Sequence, residues 1–314
     1  MVINISELIM KNTKVHISRH ETFHPRFGWL KKGFDKATDQ SDIFLGDESP
    51  MKLGVGKNMV KSIRYWCTAF KILEEERDSK NNRNISIPTK FGKKFLGENG
   101  LDPYLEDSGT LWLLHWELLK SPSFATTWYF FFNHFNKSEF TQEEVFLGFQ
   151  YHLEKEYTSS KIAESSIKKD VNCILRMYSE PKLNNLFSED SIESPFFQLG
   201  LIKNSFDRDK YYFNYGHKST LSPYIIAVAC LEFYLSEEQT SKTISVTSLL
   251  YDLGSPGRIF KLNEESLCSA IEEASFFEKG IRLSESAGII QLIIKDEPKK
   301  IIERLLKLNY GKKK

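Results

Sequence analysis

Between Met51 and Ile72 a bend feeds a helix whose faces are sorted in advance. Pro50, Gly54 and Gly56 punctuate the chain, and Met59, Ile63, Trp66 and Phe70 then recur at spacings of four, three and four. That is the interval at which a helix returns one face to a core. Lys57, Lys61 and Arg64 fall on another stripe, and with Lys52 and Lys71 the segment holds five cations and no carboxylate. The pattern predicts an amphipathic helix from about Asn58 to Phe70 with its cations displayed outward.

Its surroundings extend the prediction. Phe27 to Ala37 places Trp29, Leu30, Phe34 and Ala37 on one face and Lys31, Lys32 and Asp35 toward water. ILEEERDSKNNRNISIPT reads as a polar loop flanked by short strands, and KFGKKFLG as a closing helix. Helix, bend, helix, hairpin is the order of a winged helix-turn-helix. The expected fold class is mostly α and multi-domain, with winged helix-turn-helix-like units and small β-hairpins. This basic unit would occupy residues 1–100.

An aromatic-rich helical domain is expected over 101–183. Leu111, Trp112, Leu114, Trp116 and Leu118 mark a largely buried helix, and FATTWYFFFNHF is too apolar to face water on any side. Thr141 and Glu144 have the spacing of a capping box, opening a helix that runs to about Glu156. In SSIKKDVNCILRMYSE, Val171, Ile174, Leu175 and Tyr178 face inward while Lys168, Lys169 and Arg176 lie outside, making a second candidate reading helix. The remainder, 184–314, again ends in helix, turn, helix, hairpin. KYYFNYG is expected to form a hairpin, Ser222-Pro223 to open a helix, Ser255-Pro256-Gly257-Arg258 to form a turn, and IRLSESAGIIQLIIK to form two strands. PKKIIERLLKLNYGKKK is an amphipathic helix with a basic end.

Composition narrows the function classes. With 314 residues, 40% hydrophobic and 13% aromatic, the chain can fill more than one core, which argues against global disorder. A net charge of +1 excludes a histone-like surface, so any polyanion must meet a local patch. Cys67, Cys173, Cys230 and Cys268 stand far apart with no C-x-x-C pair, the pattern of buried thiols in a reducing compartment. The start lacks a signal-peptide core, and the longest apolar run is about fifteen residues and broken by Glu232. A cytoplasmic protein without membrane contact is expected.

Several residues invite a functional reading beside a structural one. Lys57, Lys61 and Arg64 fit phosphate or base-edge contact, or a solvated helix face. Asn58 can cap its helix or bond a base. His20, Glu21 and His24 reproduce H-E-x-x-H on paper, but Pro25 disfavours the helix that motif needs at His24, so a packed pair of histidines competes with a metal site. Arg26 adds to the basic field with Lys31 and Lys32. Arg258 could reach a phosphate from its turn. LGVGKN lacks the glycine spacing and Lys-Ser/Thr pair of a nucleotide-binding loop, and no acidic residues show nuclease spacing in a strand.

HETFHPRFGWLKKGF, LGVGKNMVKSIRYWCTAF, GTLWLLHWELL, WYFFFNHF followed by EFT, and SPGRIFKL together resemble an uncharacterised bacterial domain family. That family is associated with phosphoadenosine-phosphosulfate-reductase-like proteins and is similar to SspB, a component of DNA phosphorothioation loci that support phage defence. The resemblance runs over about residues 16–295, and the family's characteristic residues fall on His20, Glu21, Arg26, Trp29, Lys57, Asn58, Arg64 and Trp66. It implies a DNA-binding component of a phosphorothioation system. Its partners would be double-stranded DNA, a phosphoadenosine-phosphosulfate-reductase-like sulfur-transfer enzyme and the other phosphorothioation proteins. If the chain nicks duplex DNA as the SspB-type member does, it would need a metal, for which Mg²⁺ or Mn²⁺ is the candidate, or a general base, although no cofactor is evident in the residues; His20 and Glu21 are the candidates nearest the basic field. A winged-helix transcription regulator and a non-catalytic adaptor are the alternatives.

Overall fold

The computed structural model describes residues 15–79, 82–157, 162–180, 194–207, 209–237 and 241–311. Helix α1 is Trp29–Asp39, α2 is Ser49–Leu53 and α3 is Lys57–Ala69, followed by the antiparallel hairpin β1 (Leu73–Arg77) and β2 (Asn84–Pro88) and then α4 (Lys90–Leu96). The expected stripe holds: Ile63, Trp66 and Phe70 are fully buried, with Val60 beside them, while Met59 is only half-buried. The bend at Pro50 is instead a short helix, because proline fits its first turn, and Gly54 ends it in the left-handed conformation (φ 64°). Beside the hairpin, Ser86 donates its backbone N–H to Ser41 O at 2.9 Å.

Next come α5 (Ser108–Leu119), buried at every residue but Ser108, and α6 (Thr126–Asn133), buried throughout. Strand β3 (Glu139–Thr141) leads into α7 (Gln142–Glu156), where Thr141 and Glu144 form the reciprocal capping box, and α8 (Glu164–Tyr178) follows. Strands β4 (Ile202–Asn204) and β5 (Lys210–Phe213) complete a sheet ordered β3-β5-β4. KYYFNYG therefore supplies one central strand and not a hairpin; its partners lie outside the segment, where no local pattern could show them.

The C-terminal elements are α9 (Pro223–Ser236), β6 (Thr243–Ser245), α10 (Val246–Tyr251), α11 (Pro256–Phe260), α12 (Glu264–Phe277), β7 (Ile281–Ser286), β8 (Ile289–Ile294) and α13 (Pro298–Tyr310). Here the sheet is ordered β6-β8-β7. In both three-stranded sheets the last strand lies between the other two. Ser255-Pro256-Gly257-Arg258 is a helix start, not a free turn: the Ser255 hydroxyl accepts from Arg258 N, and proline stands at the first position. Gly257 is required there, since a Cβ would lie 2.4 Å from Leu250 Cα.

Buried side chains form one contiguous cluster from Trp29 to Tyr310. Helix α13 buries Ile301, Leu305, Leu306 and Tyr310. It also reaches back to the first half of the sequence: the Tyr310 and Thr110 hydroxyls are 2.9 Å apart, and Lys94 Nζ lies 2.6 Å from Glu303. Cys67, Cys173 and Cys230 are buried free thiols and Cys268 is half-buried. Among the described residues no helix is long and apolar enough to cross a membrane.

Candidate nucleic-acid interface

A cleft of about 1180 Å³ runs along the outward face of α3. Its walls come from residues 16–21, from Lys61, Arg64, Tyr65 and Thr68, from the base of the hairpin, and from residues 117–124. Six cations line it (Arg19, Lys61, Arg64, Lys71, Lys90, Lys120) against four carboxylates (Glu21, Glu74, Glu75, Glu117). The excess is positive, but the carboxylates are well placed.

Helix α3 does not present its cations as an unopposed row. Lys57 and Asn58, at its N-terminal end, are exposed, and no other described residue bonds their side chains. Lys61 Nζ lies 3.2 Å from Glu21 Oε1. Arg64 is more firmly held: Nη2 is 2.8 Å from Glu75 Oε1, Nε donates to the same oxygen at 2.9 Å, and Nη2 also donates to Asn84 O. The acid-free run from Met51 to Ile72 suggested bare charge; the counter-ions come from a preceding loop and a following strand.

The other cations divide similarly. Lys31 and Lys32 do not simply face water: Lys31 donates to Asp35 at 2.6 Å and to Leu96 O, and Lys32 donates to Leu53 O at 3.1 Å. Arg26 stacks between Phe23 and Trp29. On α8, Lys168 and Lys169 are exposed, with Lys168 Nζ 4.7 Å from the Phe146 ring centre. Arg258 is half-buried and bolts two segments together, donating to Tyr251 O and Asn133 O at 2.5 Å each. Helix α12 carries exposed Glu264, Glu265, Glu272 and Glu273 instead of cations.

At the cleft floor lies an ionic group with no local sequence signature. Lys120 Nζ is 2.5 Å from Glu117 and 2.8 Å from Glu232, and Trp116 Nε1 donates to Glu232 at 2.7 Å. Lys71 donates to Lys120 O at 2.7 Å. Burial brings the Lys71 ammonium down to about 8, against the pull of Glu117. Burial also opposes the charge on Lys120, but Glu117 and Glu232 outweigh it and raise its pKa.

His20 and His24 do not form a metal-binding pair on a helix. Residues 18–22 are a turn with Ser18, Glu21 and Thr22 at positive φ, and both imidazoles are buried. His20 Nε2 lies 2.9 Å from Asp170 Oδ1 on α8. The same carboxylate accepts Ser18 N at 2.8 Å and the Thr127 hydroxyl at 2.5 Å. Burial works against a charged His20 ring, yet the Cys173 sulfur and Asp170 beside it raise its pKa to about 10. Trp66 Nε1 on α3 donates to Phe23 O at 2.9 Å. Residues 16–23 are thus a strap joining α8 to α3, and Glu21 is presented to Lys61 from it. The strap fixes His20 in the interior, and Glu21 is the member of that pair facing the cleft.

A family model described as a protein of unknown function, DUF4007, matches residues 17–310. Two solved structures of SspB also match. The magnesium ion-bound one is 34% identical with a TM-score of 0.90, covering 96% of this chain and 90% of that chain. The other is likewise 34% identical with a TM-score of 0.90, covering 97% and 90%. No curated protein matches the chain. Among the described residues no group of three or more His, Cys, Asp or Glu side chains could hold a metal ion, and Glu117 and Glu232 share the Lys120 ammonium. With the family model spanning nearly the whole sequence and the SspB fold reproduced along it, the chain belongs to the DUF4007 family.

Proposed function

We propose that this chain is the DNA-binding component of a bacterial phosphorothioation system, working beside a sulfur-transfer enzyme. The observation that carries the reading is the α3 cleft within an SspB-like fold. Lys57 and Asn58 stand open at the leading end of α3, where a reading helix meets base edges, and Lys61, Arg64 and Lys90 continue along the cleft. The sheet orders β3-β5-β4 and β6-β8-β7, with α7 and α8 between the first and later strands of one and α10, α11 and α12 between those of the other, support three winged-helix-like units, the first reduced to a hairpin plus the Ser41 bond.

In this reading Glu21 and Glu75 occupy the places of phosphates in the free protein. A duplex displaces them from Lys61 and Arg64, so the cleft is poised and not saturated. α12, with its carboxylates, is excluded from the DNA surface by repulsion. No residue of the cleft is assigned to nicking.

Replacing Lys57, Lys61 and Arg64 together by alanine is the direct test. Duplex affinity should fall, and the slope of log affinity against log salt should drop by roughly three, about one for each phosphate no longer neutralised. Retained affinity at physiological salt would refute the α3 surface. Incubating supercoiled plasmid with Mg²⁺ or Mn²⁺ separates a nickase, which yields relaxed circles, from a protein that only binds.

A further inference from the structure

A second cavity opens away from the cleft, between the C-terminal end of α6, the C-terminal half of α7 and Leu253, with a volume of about 560 Å³. That size suits a small-molecule site. Tyr129 and Phe130 are buried at its back. His134 and His152 line it with their ring centres 4.6 Å apart, and the His152 ring is 5.0 Å from that of Phe130. Among the described residues no hydrogen-bond partner meets either imidazole, and neither contributes a fully buried nitrogen. Burial, then the charges of His152 and Arg258, brings His134 down to about 4; burial lowers His152 as well. Both rings are therefore neutral at neutral pH, and each offers one donor and one acceptor.

The rim is aromatic and cationic. Tyr151 is 69% exposed, and Lys155, one turn further along α7, has no ion-pair partner among the described residues. Lys137 is taken by Glu144 at 2.6 Å, and Glu156 is the acid at the mouth. We infer that this cavity takes the planar heterocycle of a nucleotide, its edge meeting the two imidazoles and its phosphate meeting Lys155. A purely apolar guest would leave the four imidazole nitrogens unanswered. A metal ion would need a third ligand, and no such group exists among the described residues. A free nucleotide and a base turned out of a strand share this chemistry; the second source rests on the DNA-binding reading above.

The test uses the full chain and two probes. Deoxyadenosine monophosphate is titrated while the His134 and His152 ring-proton resonances are followed, assigned with His134→Gln and His152→Gln. A single strand carrying 2-aminopurine is added in a parallel fluorescence measurement. Saturable shifts of both rings with the mononucleotide assign a free-nucleotide site; quenching of the strand probe without them assigns the strand-borne base. His152→Ala should weaken whichever probe binds by about tenfold, within the range of one base–aromatic stack, and leave duplex affinity unchanged. His152→Phe, which keeps the ring and removes the nitrogens, guards against a folding artefact and should recover part of the loss. No shift at millimolar mononucleotide and no quenching overturns the proposal. So does a response to Zn²⁺ alone, which would make the pair a metal site. Because the mononucleotide is too small to report on α3, its result is independent of the Lys57, Lys61 and Arg64 test.

Discussion

Single side chains decide how strongly the cleft can hold an anion. The sequence showed which residues of α3 point outward but not what faces them, because Glu21 and Glu75 arrive from forty residues before Lys61 and eleven after Arg64. Exposed ion pairs contribute roughly 0.2–1 kcal/mol, so removing the competitor should tighten duplex binding by up to about fivefold per site. Glu21→Gln and Glu75→Gln, measured by fluorescence anisotropy at fixed salt, should each do so; weaker binding would mean that the carboxylates position the cations instead of masking them. Asp170 is a different case. It is buried and accepts three hydrogen bonds, and Asp170→Ala should cost about 3–5 kcal/mol in denaturant unfolding by stranding His20. His20 has a folded pKa of about 10, above its unfolded value of 6.5. Its contribution is complete below about pH 6.5 and is lost as pH rises through 10, so the gap between wild type and Asp170→Ala should narrow between those limits.

At the scale of elements, periodicity carried most of the reading. α3, α8 and α13 lie where their apolar intervals put them, α9 follows its Ser222-Pro223 start and long apolar run, and the capping box at Thr141 was legible because both of its partners are local. β3 and β6 escaped notice: a three-residue strand has no period, and its reality lies in a partner some fifty or more residues away. Lys218 and Lys261 escaped for a related reason. They are buried against backbone carbonyls and lowered by burial, to about 8 and about 7, and nothing in their neighbourhood announces a buried lysine. The α10–α11 junction makes a sharp prediction. In Gly257→Ala the new methyl would meet Leu250 Cα, O and C at 2.4, 2.6 and 2.9 Å. Overpacking costs about 1–3 kcal/mol, more than the roughly 1 kcal/mol that alanine gains in a helix, so the variant should melt at lower temperature.

For the whole molecule, the core runs without interruption from α1 to α13. The last helix buries four large side chains, each contributing roughly 1.5–3 kcal/mol, so its removal forfeits about 6–12 kcal/mol against a typical total of about 5–15. A chain ending before Pro298 should therefore be largely unfolded at 25 °C by circular dichroism. A folded truncation would show that the N-terminal elements stand without it.

The strap from Ser18 to Phe23 makes neighbours of two helices that the sequence keeps a hundred residues apart. Asp170 sits one position after Lys169 on α8, and Glu21 follows His20 to meet Lys61 on α3. An anion settling on one helix thus works against the same short lever as an anion settling on the other. Duplexes long enough to touch both should feel them in concert, and charge reversals on α3 and α8 should combine non-additively.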